Sequence, residues 1–166
     1  MEIRAARAAD ADAVAEIYNA GIRERTSTFE TREREPGEIA ERIGMERFPF
    51  LVAEVDGRIG GWAATSEYSG REVYAGIAEC SVYVDTSLRG RGIGTALLSA
   101  LAEKAELRGF HKLTGKLFTS NEASRRLVER GGFRVVGTHL RHGTLDGEWR
   151  DVILVERVLA GQPTMG

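Results

Sequence analysis

The chain has 166 residues, a net charge of −2, 42% hydrophobic and 29% charged residues, the length and balance of one folded domain. Acids and bases are interspersed, against the clustered Lys/Arg footprint of a nucleic-acid or membrane-surface binder, and no apolar run approaches the ~20 residues of a membrane helix. Cys80 is the only cysteine, so no intrachain disulfide forms; with no apolar leader at the N-terminus, a cytoplasmic protein is expected.

Residues 2–6 read as a strand. Asp10 caps a helix to about Arg25, on which Val14, Ile17, Tyr18, Gly21 and Ile22 recur at helical spacing. Thr26–Glu35 is a polar loop, and Pro36 opens a second helix with Ile39 and Ile43 on its apolar side, ended by Phe48-Pro49. Strands follow at Phe50–Val55 and Arg58–Thr65 around an Asp56-Gly57 turn, then a loop at Ser66–Arg71 and a long strand at Tyr74–Val84. A glycine-rich turn leads into a helix to about Leu107, stopped by Gly109. His111–Phe118 is a strand, Asn121 caps a short helix ending at Gly131-Gly132, and Phe133–Arg141 with Glu148–Val158 form a hairpin around Asp146-Gly147. This order gives one mixed domain, helices on a mixed sheet, over 1–160, with 161–166 a disordered tail.

The turn, Arg89-Gly90-Arg91-Gly92-Ile93-Gly94, joins an apolar strand to a helix. Glycines allow positive φ and close approach of a ligand to main-chain N–H groups. The first helical N–H groups lack internal partners and carry the positive end of the helix dipole, an arrangement suited to phosphate. A tight turn with solvated arginines is the plainer alternative. The turn lacks the Gly-Lys-Ser/Thr ending of a P-loop. It also lacks the third glycine and the downstream acid of a dinucleotide fingerprint, Thr95 standing where that glycine belongs.

Arg89-x-x-Gly92-x-Gly94 after Val82-Tyr83-Val84, with Asn121-x-x-Ser124-x-x-Leu127 and Gly132-Phe133 downstream, resembles the two acyl-CoA segments of the GNAT N-acetyltransferases. The resemblance covers nearly the whole chain and its element order. Within that superfamily, Ser27–Glu33, Phe50–Gly57, Arg71-x-x-Tyr74, Glu79–Val84 and Trp149–Val152 are similar to the phosphinothricin N-acetyltransferase group. The resemblance implies the GNAT fold, a single domain with a central mixed twisted sheet flanked by helices. It also implies acetyl transfer from acetyl-CoA, without a metal, to the amine of a small amino acid or analogue of the phosphinothricin, methionine sulfoximine or arsinothricin type. A homodimer whose pocket is closed by both subunits is implied as well.

Strand alternation puts Glu79, Ser81 and Tyr83 on one face and Cys80, Val82 and Val84 on the other. Glu79, a carboxylate in an apolar strand, is the candidate base, acting directly or through water; a structural ion pair with a nearby cation is the alternative. The family likeness assigns acetyl-CoA to Val82, Tyr83, Val84, Arg89, Gly90, Arg91, Gly92, Ile93, Gly94, Thr95, Asn121 and Ser124. It assigns the acceptor to Phe29, Arg71, Tyr74 and His142. Arg71 and the Arg32/Arg34 loop favour an anionic acceptor. Many relatives carry a tyrosine, proposed as the acid for the departing thiolate, where this chain has Val128. Cys80 reads as a small buried hydrophobe. His139 and His142, three apart on a hairpin arm, are expected on opposite faces, against a metal pair. Rival readings keep the fold and change the acceptor to a protein N-terminus, a lysine or a polyamine, or drop catalysis for an acyl-CoA sensor.

Overall fold

Residues 1–160 are described, from a computed structural model; the expected tail at 161–166 lies outside them. Among the described residues there are seven strands: β1 (Glu2–Ala5), β2 (Phe50–Val55), β3 (Arg58–Glu67), β4 (Ile77–Val84), β5 (Lys112–Phe118), β6 (Arg134–Leu145) and β7 (Glu148–Val158). They form one sheet in the order β1-β2-β3-β4-β5-β7-β6. Only β4 and β5 are parallel; the other neighbours are antiparallel. The helices are α1 (Ala11–Glu24), α2 (Pro36–Ile43), α3 (Ile93–Leu107) and α4 (Glu122–Arg130). Long local runs were legible: β2 and β7 have the expected bounds.

Side-chain alternation along the strands decides the layers. Phe50, Val52, Trp62 and Ala64 turn to one face, where they meet Val14 and Ile17 of α1 and Ile39 of α2. Leu51, Ala53 and Ala63 turn to the other and meet Ile93, Leu97 and Leu101 of α3. The remaining α3 residues, Leu98, Ala102 and Ala105, close over Leu113 and Val155 of β5 and β7. No described helix is long and apolar enough to cross a membrane.

Asp10 does not cap α1 through its side chain. Its carboxylate turns back to β1, accepting two hydrogen bonds from the Arg4 guanidinium at 2.8 and 2.9 Å and one from the Arg7 N–H at 2.8 Å. A guanidinium fork outcompetes a single cap bond, and it holds the Asp10 carboxyl below its usual range. The strand expected from Tyr74 begins only at Ile77, because Glu72–Tyr74 is a single 3-10 turn. At Gly76 the His111 ring lies 2.3 Å from where a Cβ would stand, so His111 is a packing residue.

The feature that positions the site is a parting of strands. β4 and β5 pair only at Ile77–Lys112, Ala78–Leu113 and Glu79–Thr114. Beyond Glu79, β4 keeps its β3 partner to Val84, while β5 runs on beside β7 to Phe118. A wedge opens between them. The Asp85 N–H donates to Gly60 of β3, and main-chain groups alternate sides along a strand, so those of Val82 and Val84 face the wedge.

Candidate active site

The wedge is continuous with a cavity of about 660 Å3. Glu79, Ser81, Tyr83, Gly115, Lys116 and Phe118 are among its walls. A second cleft of about 330 Å3 adjoins it, sharing Ser27, Val82, Tyr83, Asn121, Ser124 and Leu127, and runs to Arg89, Gly90, Ile93 and Gly94. Strand-borne chemistry and the glycine turn therefore meet in one trough.

The three glycines of the turn serve two purposes. Gly90 and Gly92 have φ of +78° and +79°, with nothing within 4 Å of an added Cβ; they are required by the backbone bend. Gly94 has a helical φ but a Cβ there would stand 2.6 Å from Leu127 Cδ1, so its smallness lets α4 approach α3. The first helical bond runs from Ala96 N–H to the Gly92 carbonyl, which leaves the N–H groups of Ile93, Gly94 and Thr95 without an intrahelical acceptor. Arg91, Gly92 and Thr95 flank the cleft without lining it. Arg89 lines it, but both its terminal nitrogens donate to Glu24 of α1 at 3.0 Å. Nothing in the local sequence singles out Glu24. Opposite, the Asn121 side chain accepts from the Ser124 N–H at 3.1 Å and caps α4 as expected.

Glu79 stands at the apex of the fork, one-third exposed, with Lys116 Nζ 3.9 Å away. Cys80 points to the opposite face, against the α3 side, where burial pushes its thiol up to about 12; it behaves as a hydrophobe. Val128 lines the cavity and packs against the same cluster, so no proton donor stands at that position.

The loop at 26–35 supplies Ser27, Thr28, Phe29, Glu30 and Arg34 to the cavity wall. This loop has clear work within the chain. Asn19 of α1 grips the Arg34 peptide from both sides, donating to its carbonyl at 3.0 Å and accepting from its N–H at 2.7 Å. Phe29 meets Phe118 edge-on at 4.8 Å and rests where a Cβ on Gly143 would be, 2.8 Å from that point. Ser27 and Thr28 flank the Tyr83 hydroxyl, which burial pushes up to about 12. Gly21 admits the Tyr83 ring against α1, 2.7 Å from an added Cβ.

His142 lines the cavity beside Gly143. The expected separation of His139 and His142 fails: their rings stack at 4.2 Å and 16°. In β6, His139 pairs with Val152 and Gly143 with Arg150, so three residues span one on β7. Arg141, at φ +46°, carries the bulge, its N–H donating to Asp151 at 2.7 Å. The bulge turns the intervening residues and brings both imidazoles to one side. Among the described residues no group of three or more His, Cys, Asp or Glu could hold a metal ion.

Arg71 and Tyr74 lie outside the cavity of the single chain. Arg71 stacks over the Tyr74 ring at 5.5 Å, and Tyr68 meets Tyr74 edge-on at 5.8 Å. The guanidinium groups that do line the cavity are Arg34 and Arg42. Arg42 carried a sequence signal: it is a charge on the apolar face of a helix, three residues after Ile39 and next to Ile43.

The family model described as the acetyltransferase (GNAT) family matches residues 14–133. Phosphinothricin N-acetyltransferase of Streptomyces viridochromogenes is 34% identical over 92% of this chain and 84% of its own length. An L-methionine sulfoximine/L-methionine sulfone acetyltransferase of Pseudomonas aeruginosa is 31% identical over 93% and 92%. The crystal structure of a phosphinothricin acetyltransferase from Sinorhizobium meliloti in complex with acetyl-CoA superposes with a TM-score of 0.91 at 30% identity, covering 99% of this chain and 94% of that one.

Proposed function

Because the chain belongs to the GNAT acetyltransferase family, and is therefore an acetyl-CoA-dependent N-acetyltransferase, we propose that it acetylates the amine of a small amino acid or analogue with Glu79 as the base. The observation that carries this reading is the fork itself. It sets one carboxylate at the point where β4 leaves β5, beside a cavity wide enough for both reactants.

The site fits acetyl-CoA by its own features: main chain on Val82 and Val84 that faces the wedge, an open glycine turn, and a helix start whose first N–H groups have no intrahelical acceptor. Val82, Tyr83 and Val84 would hold the pantetheine arm. Gly90 with the N–H groups of Ile93, Gly94 and Thr95 would hold the phosphates, with Arg89, Arg91 and Gly92 shaping that turn and Asn121 and Ser124 closing the far wall. When bound, acetyl-CoA supplies an acetyl group activated as a thioester. An ammonium has no lone pair, so Glu79 takes a proton from the acceptor, directly or through water. The Val82 N–H is the donor available to the oxygen on which charge builds. Holding the amine and the acyl carbon in one trough contributes as effective concentration. With Val128 in place of a hydroxyl, the leaving thiol departs without a dedicated acid from α4, tolerable for a group of its acidity.

Phe29 and His142 wall the acceptor side. Names of the relatives point to phosphinothricin and methionine sulfoximine as the acceptors to try first. The test is a thiol-release screen with acetyl-CoA over amino acids, these analogues, polyamines and peptide N-termini. Turnover concentrated on amino acids is the expected result; simple amines outrunning every carboxylate-bearing acceptor would reverse it.

We further propose a homodimer that brings Arg71 and Tyr74 of each chain to the other's acceptor cavity. Its support is the exposed Tyr68, Val73 and Tyr74 beside Arg71, Val73 being 71% exposed. Light scattering should give twice the 18.2 kDa chain mass; a monomer at assay concentration contradicts it.

A further inference from the structure

Among the described residues, the Arg42 guanidinium makes no hydrogen bond and no ion pair, unlike those of Arg32 and Arg34 beside it. Its near neighbour Arg34 is engaged, with Glu30 at 2.7 Å and Glu38 at 3.6 Å. Arg42 instead lies over two rings, 5.6 Å from the centroid of Phe50 and 5.9 Å from that of Trp62, and lines the cavity. The titratable groups acting on it are Tyr18, Tyr83 and Arg34; no carboxylate is among them, and burial lowers its affinity for its proton. A guanidinium partly withdrawn from water, as Arg42 is, is costly without an anion, and the aromatic shelf offsets only part of that cost. The cost is returned when a ligand brings the charge.

Register says where that charge would sit. Trp62 pairs with Tyr83, and Ser66 with Glu79. The shelf and the base are thus four residues apart on one face of β4, ~13 Å along the strand, with Ser81 midway. An acceptor whose amine lies near Ser81 reaches Glu79 on one side and extends its far end toward Arg42 on the other.

We propose that Arg42 is the specificity residue that receives an oxyanion at the end of the acceptor's side chain. The enzyme then selects amino acids with an anionic tail over those with a neutral tail of the same shape. This rests on the amino-acid acceptor reading given above. Arg34, whose peptide Asn19 holds, keeps Glu30 paired and away from Arg42, so the cavity presents one uncommitted fork. A guanidinium receives a phosphinate or carboxylate through two parallel bonds, which a lysine cannot reproduce.

Phosphinothricin and methionine sulfone separate the possibilities, because both carry the same amino-acid head and tails of nearly the same shape, one anionic and one neutral. In Arg42→Met, kcat/KM for phosphinothricin should fall roughly 10- to 100-fold, through KM, while that for methionine sulfone changes less than about threefold. The KM for acetyl-CoA should hold. Arg42→Lys keeps a cation on the shelf, and its phosphinothricin KM should still rise; that variant decides the matter if circular dichroism shows the methionine variant unfolded. Equal losses on both acceptors would make Arg42 a structural prop or a partner of the common head, and overturn the assignment, as would no loss on either. Wild-type enzyme that acetylates neither acceptor overturns the amino-acid reading and this inference with it, whereas wild-type activity on both with an unmoved ratio in the variants overturns this inference alone.

Discussion

Glu79→Gln is expected to lower kcat by ~10²–10⁴ at neutral pH while the KM for acetyl-CoA stays near wild type. The amide keeps the shape of the carboxylate and removes its basicity. Two structural facts make the effect separable from loss of fold. The partner, Lys116, is half exposed, so its charge remains solvated when the carboxylate goes, and an exposed ion pair contributes only ~0–1 kcal/mol. The Glu79 side chain shares a face with Ser81 and Tyr83 rather than with Val82 and Val84, so the change does not enter the α3-side wall. Raising the pH should restore rate, because a free amine needs no base. Steady-state kinetics showing wild-type turnover at pH 7 would remove Glu79 from the chemistry.

Gly92→Val should weaken acetyl-CoA binding by roughly 5- to 100-fold, the equivalent of ~1–3 kcal/mol of backbone strain. Space is not the difficulty, since nothing lies within 4 Å of an added Cβ. The difficulty is φ of +79°, which a β-branched residue strongly resists. Relaxing that angle rotates the peptide at the start of α3 and redirects the N–H groups of Ile93, Gly94 and Thr95. Gly37→Ala, in α2 with open space and no positive φ, is the matched control. Calorimetric titration reads both; unchanged affinity in a folded Gly92→Val protein would put the phosphates elsewhere.

Much of this architecture is written in local signals. Period-2 and helical runs gave the strands and helices, and the glycine turn marked a helix start that lines a cleft. What was not legible depends on distance or on count. Nothing local in Glu79–Val84 says that β5 stops pairing after Thr114, because parting follows from the different neighbours that the two strands keep, β3 and β7, rather than from either sequence. The histidine pair was misread because the positive φ of Arg141 turns the residues inside the bulge out of strand alternation, and a bulge has no signature in Leu140-Arg141 strong enough to overrule strand periodicity. Asp10 was misassigned because Arg4, across the strand-helix junction, competes for the carboxylate. Arg71 and Tyr74 were expected at the acceptor from their place in the loop before the Glu79 strand and from the resemblance; the 3-10 turn at 72–74 sets them outside the cavity of the single chain. Arg42 did leave a mark, a cation where α2 should have been apolar.

The stack of Phe50, Trp62 and Tyr83, with interplanar angles of 27° and 19° and the edge of Tyr18 against Trp62, gives the protein an optical property. It has two tryptophans. Trp62 is fully buried, its indole N–H without a hydrogen-bond partner, while Trp149 is 59% exposed on β7. Emission should therefore separate into a blue component from the shelf beneath Arg42 and a red component that iodide quenches. Only the blue one packs against residues that line the trough, Tyr83 and Arg42, so the chain carries its own fluorophore behind the proposed acceptor site, with an internal reference on the outer hairpin.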